Sequence, residues 1–331
     1  MIKDELFMYH IIVNPASKSG RGTKIWAAIE PVLKEKNIRY ELHYSTRAGH
    51  IMEIIRDLST REFSGDEHNI LKLIVLGGDG TFNEALQGIT DFERTQLGYI
   101  PTGSSNDMAR DIYDAKDAIS VLNRILSCKE PVRMDLGCIT LHQIDDELPR
   151  TQTEKASPER YFGVSCGIGF DAAVCEEILS SKLKNIMNKL GLGKLTYVGI
   201  ALKQLFAAKK VACEITFDDK ETITLPRFLF VAGMVHQYEG GGFMFCPGAD
   251  YHDGIMDVCL VGNLPKLMIL MALPTAFRGK HYWFKGVDRY SARKMTVKTA
   301  SPLWLHTDGE VFAKTNSVTL TCEKEKLQVL M

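Results

Sequence analysis

Apolar residues in the first part of the chain come in two alternating textures, short unbroken runs and runs spaced three and four apart. Tyr9 to Val13 is the first unbroken run. After the loop NPASKSGRG, apolar Ile25, Ala28, Ile29, Val32 and Leu33 mark one face of a helix over about Thr23 to Lys36. Arg39 to Tyr44 reads as the next strand, and Ile51, Ile54, Ile55 and Leu58 give a second helix. Leu73 to Leu76 then runs into Gly77-Gly78-Asp79-Gly80-Thr81 and a helix from about Thr81 to Gly88. Leu97 to Ile100 runs into PTGSSND and a further helix, with another over Ala118 to Leu126. Strands that alternate with helices predict an α/β fold with a mostly parallel sheet covered on both faces, and such sheets bind ligands where strands hand over to helices.

Past Pro131 the pattern shortens into β-rich pieces: Met134 to Thr140, Tyr161 to Ser165, Val211 to Phe217, Arg227 to Val235, Met256 to Val261, Lys294 to Thr299, Leu303 to His306, Val318 to Cys322 and Leu327 to Leu330. They predict a second, predominantly antiparallel domain. The boundaries expected are 1–130 for the α/β domain and 131–331 for the β-rich one, with the last stretch, 317–331, able to pack back on the first. Gln143 to Glu159 is polar and reads as an exposed loop.

Composition narrows the class. A chain of 331 residues with 45% hydrophobic and 24% charged positions is long enough for two cores and has no disordered bias. A net charge of −1 gives no global attraction to nucleic acid. The eight cysteines form no CxxC pair or zinc spacing and read as reduced core residues of a cytoplasmic protein. The start, MIKDELFMYH, carries acids where an export signal needs a basic region. The longest apolar run, Leu267 to Leu273, is far below the roughly 20 residues of a membrane span, so contact with a bilayer is expected to be peripheral.

The glycine turn after Leu76 carries the chemistry. Glycines let an anion approach backbone N–H groups at the positive end of a helix dipole, which makes a phosphate cradle. Neither GxxxxGK[ST] nor GxGxxG is present, since Asn83 stands where the third glycine of the latter would be. A carboxylate in such a loop calls for a divalent cation or a network of donors, so Asp79 is either a partner of Mg²⁺ with a nucleotide or a tightly hydrogen-bonded structural aspartate. Asn14-Pro15-Ala16-Ser17-Lys18-Ser19-Gly20 and Pro101-Thr102-Gly103-Ser104-Ser105-Asn106-Asp107 repeat the strand-to-helix arrangement. Three loops at the carboxyl ends of neighbouring strands would converge on one crevice.

Together NPASKSG (14 to 20), GGDGTFNE (77 to 84), PTGSSNDMAR (101 to 110), GIGFDAAV (167 to 174), GGG with CPGADYHDGIMDV (240 to 258) and TDGE (307 to 310) resemble the diacylglycerol-kinase-like lipid kinases, in that family's order. GGDGT alone is shared with NAD kinases. The resemblance implies ATP and Mg²⁺ as cofactors, a site between the domains, and phosphotransfer to a lipid hydroxyl at a membrane surface, diacylglycerol being the leading acceptor. It implies that nucleotide contacts come from Asn14, Pro15, Ala16, Ser17 and Lys18, from Thr46, from Gly78, Asp79, Gly80, Thr81, Phe82, Asn83 and Glu84, and from Thr102, Gly103, Ser104, Asn106 and Asp107. A lipid hydroxyl needs a carboxylate to accept its proton, and the family pattern implies Glu310 or Asp308, unranked, with Asp79 also at the reaction centre. Without the resemblance, Asp308-Gly309 reads as an ordinary hairpin turn. A structural cation is implied at Asp253, with Asp250 and Ile255 alongside; hard oxygen ligands suit Mg²⁺ or Ca²⁺ there. A small-molecule kinase of NAD-kinase type and a non-catalytic nucleotide- or lipid-binding regulator are the competing readings, and a homodimer is left open.

Two segments offer membrane contact. Lys182 to Lys210 holds seven lysines and no acid, with Leu183, Ile186, Met187 and Leu190 on one helical face. Arg278 to Lys298 combines Arg289, Arg293 and Lys294 with Tyr282, Trp283 and Phe284. Both read equally as ordinary solvated surface, and His236, His281 and His306 read as structural or solvent-facing.

Overall fold

The computed structural model describes residues 8–18, 20–64, 68–113, 117–143, 159–180 and 193–331, the side chains of 193–198 excepted. The chain forms two compact units: one of residues up to Leu136 with Tyr251–Asp253 and Glu323–Met331, the other of Gly137–Asp250 and Gly254–Cys322.

In the first unit the apolar runs become strands β1 (Tyr9–Val13), β2 (Tyr40–Tyr44), β3 (Leu71–Gly77) and β4 (Thr95–Pro101). They pair in parallel in the order β4-β3-β1-β2. Leu73, Ile74, Val75 and Leu76 are fully buried, as strands covered on both faces require. The covering helices are α1 (Arg21–Glu35), α2 (His50–Phe63), α3 (Asp79–Gly88), the short α4 (Asp107–Ile112) and α5 (Ala118–Ser127). Helix α1 buries Trp26, Ile29 and Leu33, a stripe at helical spacing. Helix α5 starts at Asp117, whose side chain accepts the Ser120 N–H, an N-cap bond. Residues 323–331 join this unit, with Gln328 and Val329 pairing in parallel to Gln96 and Leu97 of β4.

The second unit is antiparallel. Its strands are β5 (Val132–Gln143, which begins in the first unit), β6 (Glu159–Phe162), β7 (Ser165–Gly169), β8 (Val211–Phe217), β9 (Glu221–Phe228), β10 (Phe230–Met234), β11 (Met256–Val261), β12 (Val287–Ala292), β13 (Lys294–Thr307) and β14 (Glu310–Val329, which ends in the first). The main path is β12-β11-β10-β7-β13-β14, with a β8-β9 hairpin on β13. Its described residues also include helices α6 (Phe170–Ser180), α7 (Gly193–Ala207) and α8 (Lys266–Ala276) and a 3-10 turn (His281–Trp283). The segments read as separate strands at 294–299 and 303–306 are one strand, with a register shift between Lys298 and Leu303 where Pro302 removes a ladder donor. The run 227–235 is instead two strands, broken at Leu229, whose N–H turns to the Val261 carbonyl. The all-round apolar run at 267–273 lies within helix α8, capped by Pro265.

The eight cysteines are unpaired, and five of them are buried. His236, His281 and His306 are all buried, which corrects the solvent-facing alternative. Among the described residues no helix is long and apolar enough to cross a membrane. Most of the loop 143–159 and the amphipathic set Lys182, Leu183, Ile186, Met187 and Leu190 lie outside the described residues.

Candidate active site

Three loops leave the carboxyl ends of β1, β3 and β4, and the structure ties them together. Asn14 Nδ2 donates to Thr81 Oγ1 at 2.9 Å, joining the first loop to α3. Ser17 Oγ and Thr102 Oγ1 share a buried hydrogen bond of 2.7 Å, joining the first loop to the third. The second and third meet through the Thr102 N–H, which donates to the Gly77 carbonyl at 2.7 Å. Asp79 then fixes the third loop: its Oδ2 accepts the Asn106 N–H at 2.8 Å and its Oδ1 the Asp107 N–H at 2.9 Å. These are the first amides of α4, which have no partner inside that helix.

The backbone choices follow from this crowding. A Cβ on Gly103 would stand 2.5 Å from the Gly78 Cα, so two glycines are required where the loops touch. A Cβ on Gly22 would stand 2.0 Å from the Asn14 carbonyl oxygen, so α1 can start against the first loop only with glycine there. Asn14 Oδ1 accepts the Ala16 N–H at 3.1 Å, an Asx turn that bends the chain out of β1. Lys18, at φ 41°, is exposed on the same loop.

Several sequence-predicted contacts also make bonds within the protein. Asp79 makes the hydrogen bonds that the structural alternative expects, each carboxylate oxygen accepting one amide of the third loop, and so positions that loop. Phe82 is 2% exposed and packs on Tyr99 with ring centroids 5.1 Å apart, so its side chain belongs to the core and offers a ligand nothing. Asn83 is fully buried in α3, where its carbonyl accepts from Gln87 Nε2. Glu84 Oε2 accepts the Ile51 N–H at 3.3 Å, and so supports the start of α2. Thr46 is exposed after β2, its hydroxyl 3.1 Å from His50 Nδ1. Pro15, Ala16, Gly78, Gly80, Ser104 and Asn106 stand in the three loops or at the helix starts they lead into. Asn106 takes the left-handed conformation at φ 52° before α4.

The second unit contains the acidic turn. Asp308 and Gly309, at φ 52° and 82°, form a two-residue hairpin turn between β13 and β14, as the hairpin alternative describes. Asp308 Oδ1 accepts the N–H groups of Val164 at 2.8 Å and Ser165 at 3.1 Å, and its Oδ2 accepts that of Gly163 at 2.9 Å. These donors lie where β6 gives way to β7, which explains why the single strand expected over 161–165 is interrupted. Glu310 opens β14, paired with Thr307.

Below this turn lies a cluster that the sequence did not reveal. His306, fully buried, brings Nε2 to 3.3 Å from Asp171 Oδ2 and 3.1 Å from Glu239 Oε1, while its Nδ1 accepts the Gly309 N–H at 3.1 Å. Burial opposes a charge on this imidazole, but the carboxylates of Glu239 and Asp171 beside Nε2 outweigh it and raise its pKa well above the usual histidine value. The Gly309 amide pulls the other way, because a protonated ring has no acceptor at Nδ1. The available signal was an acid beside glycines in GIGFD and EGGG.

Asp250, Asp253 and Ile255 fall in the turn around Gly254, all exposed, and Ile255 can contribute only a main-chain oxygen. The chain passes between the units at this turn, Asp253 belonging to the first and Asp250 and Ile255 to the second. Among the described residues, His, Cys, Asp and Glu side chains gather in threes with metal-ligand spacing at His10, Glu41 and His43 and at Asp171, Glu239 and His306, not at that turn.

Comparison with known proteins accounts for both units. Residues 8–139 match the diacylglycerol kinase catalytic domain, and residues 164–331 match the YegS C-terminal NAD kinase beta sandwich-like domain. A Staphylococcus saprophyticus protein named diacylglycerol kinase is 27% identical over 307 residues, covering 92% of this chain and 89% of its own length. A Mycobacterium tuberculosis protein of the same name is 27% identical over 259 residues, covering 78% and 76%. A solved Bacillus anthracis structure titled as a diacylglycerol kinase shares the fold, with a TM-score of 0.68 at 20% identity over 98% of this chain and 96% of that one.

Proposed function

Because this chain belongs to the diacylglycerol-kinase-like family of lipid kinases, we propose that it transfers the γ-phosphate of ATP, with Mg²⁺, to the hydroxyl of a neutral lipid, diacylglycerol first among them. The observation that carries this reading is the mutual bonding of the three glycine-bearing loops through Asn14, Ser17, Thr81 and Thr102. Hydroxyls, helix-start amides and Lys18 form a donor set that suits phosphate oxygens. Mg²⁺ bound with the nucleotide would supply neutralisation of charge on those oxygens.

Each residue's part follows from its contacts. The amides at the start of α3 and the side chains of the first loop bind and orient the phosphates, while Asp79 keeps the third loop against them. Glu310 accepts the acceptor hydroxyl's proton. Asp308 is the poorer base, because its carboxylate is already held by three main-chain donors, and its part is to hold the turn on which Glu310 stands.

The deciding experiment is incubation with Mg-ATP and a total lipid extract, followed by mass spectrometry, with NAD as a parallel acceptor. New phosphate monoesters of lipid are expected. Phosphorylation of NAD alone would replace this reading with the small-molecule one, and no product from either would end it. A second test concerns the crowded glycines. At 100-fold above Kd, a ligand stabilises the folded state by about 2.7 kcal/mol. Mg-ATP is expected to raise the melting temperature of the wild type and not that of Gly103→Ala, whose Cβ would push the second and third loops apart. Equal shifts would separate the loops from nucleotide binding.

A further inference from the structure

Helix α8 buries Ile269, Ala272 and Ala276 and turns a second apolar stripe outward. Leu267 is 69% exposed, Met271 57%, Phe277 52% and Trp283 76%. Leu267 and Met271 are one turn apart on the same face, and Phe277 follows at the helix end, stacked on Phe243 at 4.0 Å. The chain then folds back, with the Lys280 N–H donating to the Thr275 carbonyl, and Lys280 Nζ lies 5.0 Å from the centre of the Trp283 ring. Phe206, 62% exposed at the end of α7, adjoins the start of α8, since Lys266 Nζ bonds its carbonyl. Exposed apolar side chains are ordinary when scattered singly and mark an interaction surface when grouped, as these are.

Along the segment that carries most of the group the charge is of one sign. From Asn263 to Val287 the chain carries Lys266, Arg278, Lys280 and Lys285 and no acid. Cations beside exposed leucine, methionine and tryptophan fit the interface of an anionic bilayer, where apolar tips enter the acyl boundary, indole sits at headgroup depth and lysines face the lipid phosphates. A second copy of the same face would bring like charges together.

We propose that the outward stripe of α8, with Phe277 and Trp283, docks this protein on membranes bearing anionic lipid. The partner deepens the lipid-kinase reading and rests on it for its purpose, but the binding is measured without nucleotide. Vesicles of phosphatidylglycerol and phosphatidylcholine, pure phosphatidylcholine vesicles, and a short-chain diacylglycerol dispersed without vesicles are the probes. The wild type is expected to co-sediment with the phosphatidylglycerol vesicles, at least 10-fold less with phosphatidylcholine alone, and less as salt rises. The double variant Leu267→Glu with Met271→Glu is expected to lose vesicle binding by at least 10-fold, as is Trp283→Ala in part, and Lys280→Ala with Lys285→Ala to lose about 10- to 30-fold, since each such lysine contributes about 1 kcal/mol near the surface. All should keep the wild-type rate on the dispersed acceptor and the wild-type melting temperature. Undiminished vesicle binding by the double variant overturns the proposal. So does a wild-type dimer that the same variant converts to monomers, because the face then belongs to a second copy. Absence of kinase activity in the wild type with vesicle binding intact would instead remove only the lipid-kinase reading.

Discussion

Glu310→Gln is expected to lower kcat by about 10²- to 10⁴-fold, the share a positioned general base contributes, with the KM for Mg-ATP and the melting temperature unchanged. The expectation rests on a division of labour between two acids of one turn. Asp308 has both oxygens committed to the amides of residues 163–165, and drawing a proton from an acceptor would mean giving up bonds that hold β6 and β7 in place. Glu310 is the first residue of β14, just past that anchored turn. Glutamine keeps its size and its acceptor oxygen but cannot take up a proton at neutral pH, so binding survives while the chemical step does not. Steady-state kinetics with diacylglycerol decide the matter, and a kcat within a few-fold of wild type would move the base elsewhere.

The opposite profile is expected at Asp308, where stability is the first casualty. Removing an acceptor from buried main-chain donors costs about 1–3 kcal/mol for each group stranded, and Asp308→Ala strands three that are partly buried. A loss of about 3–5 kcal/mol is therefore expected in denaturant unfolding. Asp308→Asn should be milder, about 1–2 kcal/mol, because an amide oxygen at the Oδ1 position still accepts from Val164 and Ser165 while only the Gly163 amide loses its partner. If alanine and asparagine are equally stable, those bonds contribute nothing and the case for Asp308 as an anchor falls. The left-handed conformation at φ 52° adds a backbone reason for the milder asparagine result, since asparagine tolerates that region and alanine does not.

Strands β1, β3 and β4 of the first unit were legible because each announces itself twice, by an apolar run and by the loop that follows, while β2, YELHY, shows only alternation. Val211 to Phe217 and Met256 to Val261 were equally plain in the second unit, where a strand's limits coincide with polar or glycine neighbours. Helix α8 was not, because an apolar run without polar positions has no period to read. Helix α6 was hidden for another reason: GIGFDAAV runs straight from strand into helix, its glycines ending β7 and Phe170 already starting α6, with no polar loop between to mark the change. At the site, the loops could be read as neighbours, while the direction of each side chain could not. Phe82, Asn83 and Glu84 follow GGDGT in sequence, yet the helical turn points Phe82 and Asn83 into the core and Glu84 toward α2. The joining of Asp171, Glu239 and His306 depends on a helix, a turn and a strand meeting, which no local pattern encodes.

The return of residues 323–331 sets an order on biosynthesis. Strand β4 ends at Pro101, but Val329 is the neighbour that covers its outer edge, reinforced by Gln328 Nε2 bonds to the Phe92 and Glu93 carbonyls. At about 5–20 residues per second, a ribosome needs on the order of 10 s to travel between them. Through that interval the nascent first unit carries an open edge, a surface on which unpaired backbone invites foreign strands. Chaperone occupancy during translation should therefore fall only once residues 323–331 have emerged, and a chain cut before them would aggregate however intact its loops.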